Sequence, residues 1–322
     1  MSFHQQTMTV MVLYPERELE QQIVFEERPV PVPDKGEVLV RVRATSIGGR
    51  DKHLFAMDEL GWRTKRRRAE RGVITGYEFS GTVAIAGKRF KEGDDVFGYT
   101  DFRKGGVAHA EYVCVSEGMI FYKPDKLSHV QAATVPVGCM TSMRALQVLA
   151  GLKKNQRILL SGASGGVGIY AVQFAKMLGA EITAQGRSWH QHELLRLGVD
   201  NFIEYTQEEI LHSDETYDVV FDVAGIWNLE EIAPHLTSKG VYVTTHPERD
   251  RLGIVSSYFT AKKSKYLFVS QGNTKILASV AVLFDEEKLE PIVGSVSPFL
   301  EAQNEFVPQN NKVVGRRVLS LE

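Results

Sequence analysis

Ile158-Leu-Leu-Ser-Gly-Ala-Ser-Gly-Gly-Val-Gly-Ile-Tyr-Ala-Val-Gln-Phe-Ala-Lys176 is the stretch that decides how this chain folds. Residues 156–161 read as an apolar strand and residues 166–178 as an amphipathic helix. Between them Ala163, Gly165 and Gly168 stand at the offsets of a G-x-G-x-x-G turn, with Ala in the first glycine position. Gly165 lets the backbone approach a pyrophosphate, and Gly168 lets the helix pack on the strand. The N–H groups around Ser164, Gly166 and Val167, at the helix start, then face the phosphates. The alternative is a glycine-rich turn without a ligand. The apolar strand before it and the amphipathic helix after it supply the context a dinucleotide site requires.

The next strand separates the two nicotinamide coenzymes. It ends Thr183-Ala-Gln-Gly-Arg-Ser188, without the acid that binds ribose hydroxyls in NAD enzymes. A carboxylate there would repel a 2′-phosphate by roughly 4 kcal/mol at about 4 Å and an effective dielectric near 20. Beside Gly186, Arg187 offers a planar fork for phosphate and Ser188 a hydrogen bond. NADPH is the expected coenzyme; a solvated loop arginine is the alternative reading of Arg187.

Working outward, strands and helices alternate from residue 128 to residue 272, which predicts a doubly wound parallel sheet. Further strands are expected at 181–185, 202–205, 218–223, 241–245 and 266–270, with helical character over 130–151 and 190–197. The first third is β-rich instead. In Gly36-Glu-Val-Leu-Val-Arg-Val-Arg-Ala44, Val38, Val40, Val42 and Ala44 share one face while Arg41 and Arg43 share the other, the alternation of a half-buried strand. Short strands at 73–86, 95–99 and 108–115 suggest a partly opened barrel or sandwich. After Gly272 a helix to about residue 287, two short strands and a final strand at 316–321 are expected to fold back on the first domain. The fold class is therefore α/β, with two domains: 1–127 with 273–322, and 128–272.

The chain has 322 residues, enough for two cores. Its net charge of −2 argues against a global electrostatic partnership with nucleic acid or acidic lipid. No apolar run approaches the roughly 20 residues of a membrane helix. The opening Met1-Ser-Phe-His-Gln-Gln lacks signal-peptide character, and two cysteines, Cys114 and Cys139, cannot build a disulfide scaffold. A reducing cytoplasm is the expected location.

Taken together, Ser161-Gly-Ala-Ser-Gly-Gly-Val-Gly168 and Ala171-Val-Gln-Phe-Ala-Lys176 resemble the zeta-crystallin-type quinone oxidoreductases of the medium-chain dehydrogenase/reductase superfamily. Supporting matches are Gly76-Tyr-Glu-Phe-Ser-Gly81, Gly93-Asp-Asp-Val-Phe-Gly98, Ala110-Glu-Tyr-Val113, Ala132-Ala-Thr-Val-Pro136, Asp218-Val-Val-Phe-Asp-Val223 and Gly315-Arg-Arg-Val-Leu319. The resemblance implies a GroES-like catalytic domain over 1–127 and 273–322 and a Rossmann NADP-binding domain over 128–272. It implies Thr141 near the nicotinamide and Tyr205 near the 2′-phosphate. It places Ala224 and Gly225 along the ribose, and the backbone of Phe268, Val269 and Ser270 at the carboxamide. Plain core strand residues are the alternative for Phe268 and Val269.

Zinc-dependent alcohol dehydrogenases of that superfamily carry cysteine and histidine ligands where this chain has Gly48, Tyr77 and Val137. Glu78 remains, but one carboxylate cannot hold zinc, and two cysteines cannot form a four-cysteine site. No metal is expected. Relatives often read Ser-Val-Asn-Pro-x-Asp near the site; here the run is Ser46-Ile-Gly-Gly-Arg-Asp51, so the Asn is lost at Gly48. Arg50, Asp51, His53 and Tyr77 are then the candidate catalytic polar groups. His53 and Tyr77 are proton-donor candidates; an exposed loop histidine and a turn-anchoring Asp51 are the bland alternatives.

The expected activity is hydride transfer from NADPH to a quinone or similar electron-poor carbonyl. Two alternatives stay open: reduction of the C=C bond of α,β-unsaturated aldehydes or ketones, and a non-catalytic NADPH-binding, structural or RNA-binding protein. The basic run from Trp62 to Arg71 reads as a solvated face, because it lacks interleaved aromatics for stacking on nucleic acid. A homodimer joined at the strand expected over 266–270 completes the reading.

Overall fold

The computed structural model describes residues 6–14, 17–18, 21–49, 51, 72–101, 106–204, 213–267, 273–306 and 313–322. Arg50, His53, Tyr205, Phe268, Val269, Ser270 and the basic run 62–71 lie outside the described residues. The chain divides into two units. The first comprises Met1–Val137, Ser270–Asn311 and Arg316–Glu322; the second comprises Gly138–Val269 and Lys312–Gly315.

The first unit is β-rich. Its larger sheet runs Val293–Pro298, Arg316–Ser320, Glu37–Ile47, Glu78–Ile85, Asp95–Tyr99, Ile120–Tyr122, with Tyr112–Ser116 also paired to Glu37–Ile47. A smaller sheet holds Ile23–Pro29, Thr7–Leu13 and Val73–Ile74. The alternation read in the Glu37–Ile47 strand is present: Val38, Val40 and Val42 enter one core with Phe79, Val96 and Val113. Leu39, on the opposite face, is buried as well, packed with Met8, Val10 and Val12 of the smaller sheet. Sequence alternation could not show that a second sheet covers this half of the strand.

The expected strand 73–86 is two strands. Val73–Ile74 and Glu78–Ile85 are separated at Gly76, whose φ is +91°. A Cβ there would also stand 2.5 Å from the His109 backbone nitrogen, so only glycine turns the chain at this point. That break sets Glu78 at the first position of its strand. The closing strand Arg316–Ser320 runs antiparallel to Glu37–Ile47, with Arg317 opposite Ile47 and Val318 opposite Ser46. This return, expected from the sequence, delivers Arg316 to the residues just after Ile47.

The second unit is a parallel sheet in the order Asn201–Glu204, Glu181–Gly186, Arg157–Ser161, Tyr217–Asp222, Leu236–Thr244, Lys263–Tyr266. That is the doubly wound order 3-2-1-4-5-6. The helical stretch expected over 130–151 is broken into His129–Ala132, Pro136–Met143 and a π-helix Arg144–Ala150 that ends at Gly151, φ +64°. Of the strand expected at 266–270, residues 268–270 lie outside the described residues; a strand at Lys263–Tyr266 forms the edge of the sheet among the described residues. Its polar Lys263, Ser264 and Lys265 hid it from an apolar-run criterion.

At the start of the helix Gly168–Met177, a Cβ on Gly168 would fall 2.2 Å from the Gly162 oxygen and 2.5 Å from Ala163 Cα. Those are backbone atoms and cannot swing aside. A Cβ on Gly165 meets only the Gly162 oxygen, at 3.4 Å. Gly168→Ala should therefore lower stability by about 1–3 kcal/mol, read as a lower melting temperature. Gly165→Ala should leave the melting temperature unchanged.

Candidate functional site

In the second unit the strand order reverses between Arg157–Ser161 and Tyr217–Asp222, and ligands of doubly wound sheets bind beyond the carboxyl ends of such strands. Asp222 ends its strand wholly buried. Its carboxylate accepts the N–H groups of Gly225 at 2.9 Å, Ile226 at 3.2 Å and Trp227 at 3.0 Å. It also accepts the Ser161 hydroxyl. The Tyr242 hydroxyl, 3.0 Å from Asp222 and 2.6 Å from the Trp227 carbonyl oxygen, shares its proton between them. Burial and the Asp222 charge push the Tyr242 phenol far above its ordinary range, so it stays a donor.

This network fixes two expected site segments against each other. Ser161 Oγ accepts the Ala224 N–H at 3.1 Å, and Gly162, φ +62°, passes so close that a Cβ there would lie 3.2 Å from the Ala224 nitrogen. Gly225, φ +66°, has the His246 ring where a Cβ would stand, and Arg249 donates to its carbonyl oxygen. The glycine loop itself is held from two other sides. Ser142, next to buried Thr141, shares its hydroxyl proton between the Val167 and Gly138 carbonyl oxygens at 2.8 and 2.9 Å. Gly315 N–H donates to the Ser164 oxygen at 2.8 Å.

A diphosphate fits this loop. Where another residue would carry a Cβ, Gly165 meets only the Gly162 oxygen, at 3.4 Å, and the loop leads into the N-terminus of a ten-residue helix, whose dipole favours an anion. Beyond the Glu181–Gly186 strand, Arg187 and Ser188 are exposed. Ala163, Ser164, Gly165, Gly166, Val167 and Gly168 thus form one turn, with Thr141, Gly186, Arg187, Ser188, Ala224 and Gly225 elsewhere in the same unit.

The first unit holds a different arrangement. Glu78, its side chain 2% exposed, faces Arg316, 7% exposed, with Oε1 and Nε 2.7 Å apart. The carboxylate also accepts the Ser46 hydroxyl at 2.8 Å and the Val137 N–H at 2.9 Å. A Cβ on Gly48 would stand 2.8 Å from an Arg316 guanidinium nitrogen, so the bare glycine makes the room the guanidinium occupies. Burial pushes the Glu78 carboxyl above the ordinary carboxylate range, with Arg316 as the main opposing influence. Asp51, fully buried, accepts the N–H groups of Gly48 at 2.8 Å and Gly76 at 2.9 Å. That is the geometry of a turn anchor. Tyr77 is buried in the same region.

His109 completes the cluster. Its Nε2 lies 3.3 Å from the Ser46 carbonyl oxygen, which can only accept, so Nε2 carries the proton and Nδ1 accepts the Thr75 hydroxyl at 2.7 Å. Burial lowers the His109 pKa, which keeps the ring neutral. The positions that bear zinc ligands in alcohol dehydrogenases do not supply them: Gly48 and Val137 have no side-chain donor, Tyr77 offers only a buried phenol, and Glu78 is committed to Arg316. Among the described residues no group of three or more His, Cys, Asp or Glu side chains is assembled for a metal ion.

Sequence reasoning missed Ser142, Tyr242, His246, Arg249 and the role of Arg316. Arg316 and Asp222 lay inside the quoted motifs, but nothing in a linear motif shows which buried charge meets which.

A native pKa above the ordinary 4.5 means that the Glu78 contribution to stability is fully present below that pH and declines as pH rises toward the native value. Arg316→Gln removes the main opposing influence, so the loss should reach about 3–5 kcal/mol near pH 8. It should be smaller near pH 5, where Glu78 takes up a proton. Glu78→Gln in the same chain should recover most of it; a pH-independent loss in thermal melts would exclude a charge origin. The acid-side loss due to neutral His109 runs the other way and is common to all three proteins.

Residues 34–125 match the alcohol dehydrogenase GroES-like domain family, and residues 197–305 match the zinc-binding dehydrogenase family. The chain is 30% identical over 315 residues to the mitochondrial NAD(P)H oxidoreductase RTN4IP1 of Mus musculus, covering 84% of this chain and 78% of that protein. It is 28% identical over 290 residues to a chloroplast envelope quinone oxidoreductase homolog of Arabidopsis thaliana, covering 86% and 87%. The structure of the quinone oxidoreductase from Coxiella burnetii shares the fold, with a TM-score of 0.88 at 24% identity over 98% of this chain and 100% of that one. The expected cytoplasmic location is overturned: the mouse relative is named mitochondrial and the plant relative is named for the chloroplast envelope. The expectation had rested on two cysteines and an unremarkable opening, neither of which reports an address. Among the described residues no helix is long and apolar enough to cross a membrane. The chain belongs to the medium-chain dehydrogenase/reductase superfamily, in its quinone oxidoreductase-like branch, and is an oxidoreductase of that family.

Proposed function

We propose that this protein is an NADPH-dependent reductase that passes a hydride to a quinone or a related electron-poor carbonyl without a metal. The observation that carries the reading is a contrast: the coenzyme loop keeps its backbone donors, while the zinc-ligand positions have lost theirs and Glu78 is bound to Arg316. Bound NADPH would supply the hydride. The N–H groups of Ser164, Gly166 and Val167 hold its diphosphate, with Ala163, Gly165 and Gly168 shaping the turn, Arg187 and Ser188 hold its 2′-phosphate, and Ala224 and Gly225 border a ribose. Thr141 stands near the nicotinamide. Tyr205, Phe268, Val269 and Ser270 keep their expected coenzyme roles. Asp51 anchors the Gly48 and Gly76 turns instead of moving protons. Tyr77 and His53 remain the proton-donor candidates, and Arg50 a candidate polar group of the pocket. An electron-poor acceptor needs little polarisation, and holding it against the coenzyme supplies roughly 7–11 kcal/mol of the barrier.

The reading is tested by NADPH oxidation against a panel of quinones and α,β-unsaturated aldehydes, with and without chelator. Acceptor-dependent turnover that survives the chelator is expected; turnover that needs added zinc sinks the metal-free half. Arg187→Glu should weaken NADPH by about 10- to 100-fold, the value of a charge-assisted hydrogen bond. NADH binding should barely change. Equal losses would refute the 2′-phosphate assignment.

The assembly is a homodimer in this reading. Among the described residues the strand Lys263–Tyr266 has a sheet partner on one side only, and the adjoining helix Arg251–Ser256 and the turn after it expose Leu252, Val255, Tyr258 and Phe259. Sedimentation at micromolar concentration should give a dimer, and Tyr258→Glu with Phe259→Glu should shift it to monomer. A wild-type monomer would remove this part of the proposal.

A further inference from the structure

Three exposed side chains, Arg187, Ser188 and Trp189, follow the Glu181–Gly186 strand, and the coenzyme reading leaves the last unexplained. Trp189 is 46% exposed, in the single turn Ser188–His190 that follows the strand. Its ring lies under the Arg187 guanidinium, with Cζ 5.2 Å from the ring centroid. It also meets buried His190 edge-on, with centroids 5.9 Å apart at 76°. His190 therefore braces the indole from inside, and the indole braces the arginine from below.

The arrangement has a chemical consequence. A free arginine side chain samples many rotamers, and fixing it on a ligand loses that freedom. A guanidinium stacked on an indole keeps its edge N–H groups directed outward, where a phosphate can take two of them, while its face is occupied by the ring. The chain order Gly186-Arg187-Ser188-Trp189 puts the phosphate fork and its platform beside the strand end where a nucleotide's adenosine ribose lies in doubly wound sheets.

We infer that Trp189 is a specificity-determining positioning residue: it presents Arg187 to the 2′-phosphate of the coenzyme and so sets the preference for the phosphorylated nucleotide over the unphosphorylated one. The inference rests on the coenzyme reading above. Because Trp189 is half exposed, its replacement should leave the fold intact, and a thermal melt checks this.

The test titrates wild type, Trp189→Leu and Trp189→Phe with NADPH, NADH, adenosine 2′,5′-bisphosphate and adenosine 5′-monophosphate by calorimetry. Trp189→Leu should weaken NADPH and the bisphosphate by about two- to five-fold, the value of a cation–π contact at an exposed site. NADH and the monophosphate should bind as before. Trp189→Phe, which keeps a ring, should recover most of the loss. Equal weakening of NADPH and NADH by Trp189→Leu, or no weakening of either, overturns the inference. A wild type that binds NADH as tightly as NADPH and ignores the bisphosphate removes the 2′-phosphate reading itself, whatever Trp189 does.

Discussion

A carboxylate removed from water has to be met by donors, and two such groups organise this molecule. An ionised side chain left unmet in a protein interior loses several kcal/mol of solvation, which ordinary packing does not replace. Asp222 is answered by three backbone N–H groups and two hydroxyls, all within the second unit. Glu78 is answered by a guanidinium, a hydroxyl and a backbone N–H within the first. Because each donor must arrive at a stated place, each carboxylate dictates the course of the chain around it. The turn after Asp222 closes onto the first strand through Ser161 and Ala224, and the C-terminal strand is brought back to set Arg316 beside Glu78.

The Glu78–Arg316 pair also changes what the first unit can do chemically. A zinc ion is an exchangeable Lewis acid with an open coordination position. A buried guanidinium is a permanent cation with no empty orbital; it neutralises Glu78 but cannot polarise an oxygen by coordination. With Gly48 opening the space and Val137 contributing only its N–H, the charge balance of the site is set by the fold itself. Under the proposed function, acceptors that are reactive without a Lewis acid suit such a surrounding.

Much of the fold was legible because it rests on local rules. The Arg157–Ser161 strand, the glycine loop and the helix Gly168–Met177 follow from apolar runs and glycine spacing, which are properties of neighbouring residues. The Asp95–Tyr99 strand and the return strand Arg316–Ser320 were visible for the same reason. What escaped was set by partners distant in sequence. Leu39 is buried by a second sheet, Lys263–Tyr266 pairs with a neighbour despite its charges, and Arg316 matters because of where its strand docks. The single helical stretch read over 130–151 breaks because Pro136 restarts it and a π-turn follows Met143. At the site, glycine positions were legible, but the hydroxyls of Ser142, Ser161 and Tyr242 carried no signal, since a lone Ser or Tyr looks the same whether or not it finds a buried acceptor.

The two parts of coenzyme recognition are therefore encoded in different materials. In the proposed reading the diphosphate is held by main-chain N–H groups, whose placement depends on Gly168 having no Cβ and on Ser142 and Gly315 pinning the loop. No side-chain exchange that spares those contacts can remove it. In the proposed reading the 2′-phosphate falls to Arg187, Ser188 and the indole that the arginine overlies, all exposed and none needed by the core. A single substitution there alters which nucleotide binds while the fold stays as it is. Binding of a dinucleotide is thus a property of the backbone, and the choice between its phosphorylated and unphosphorylated forms is a property of the surface, which is why the first can be read from glycine spacing and the second only from the side chains that follow the second strand.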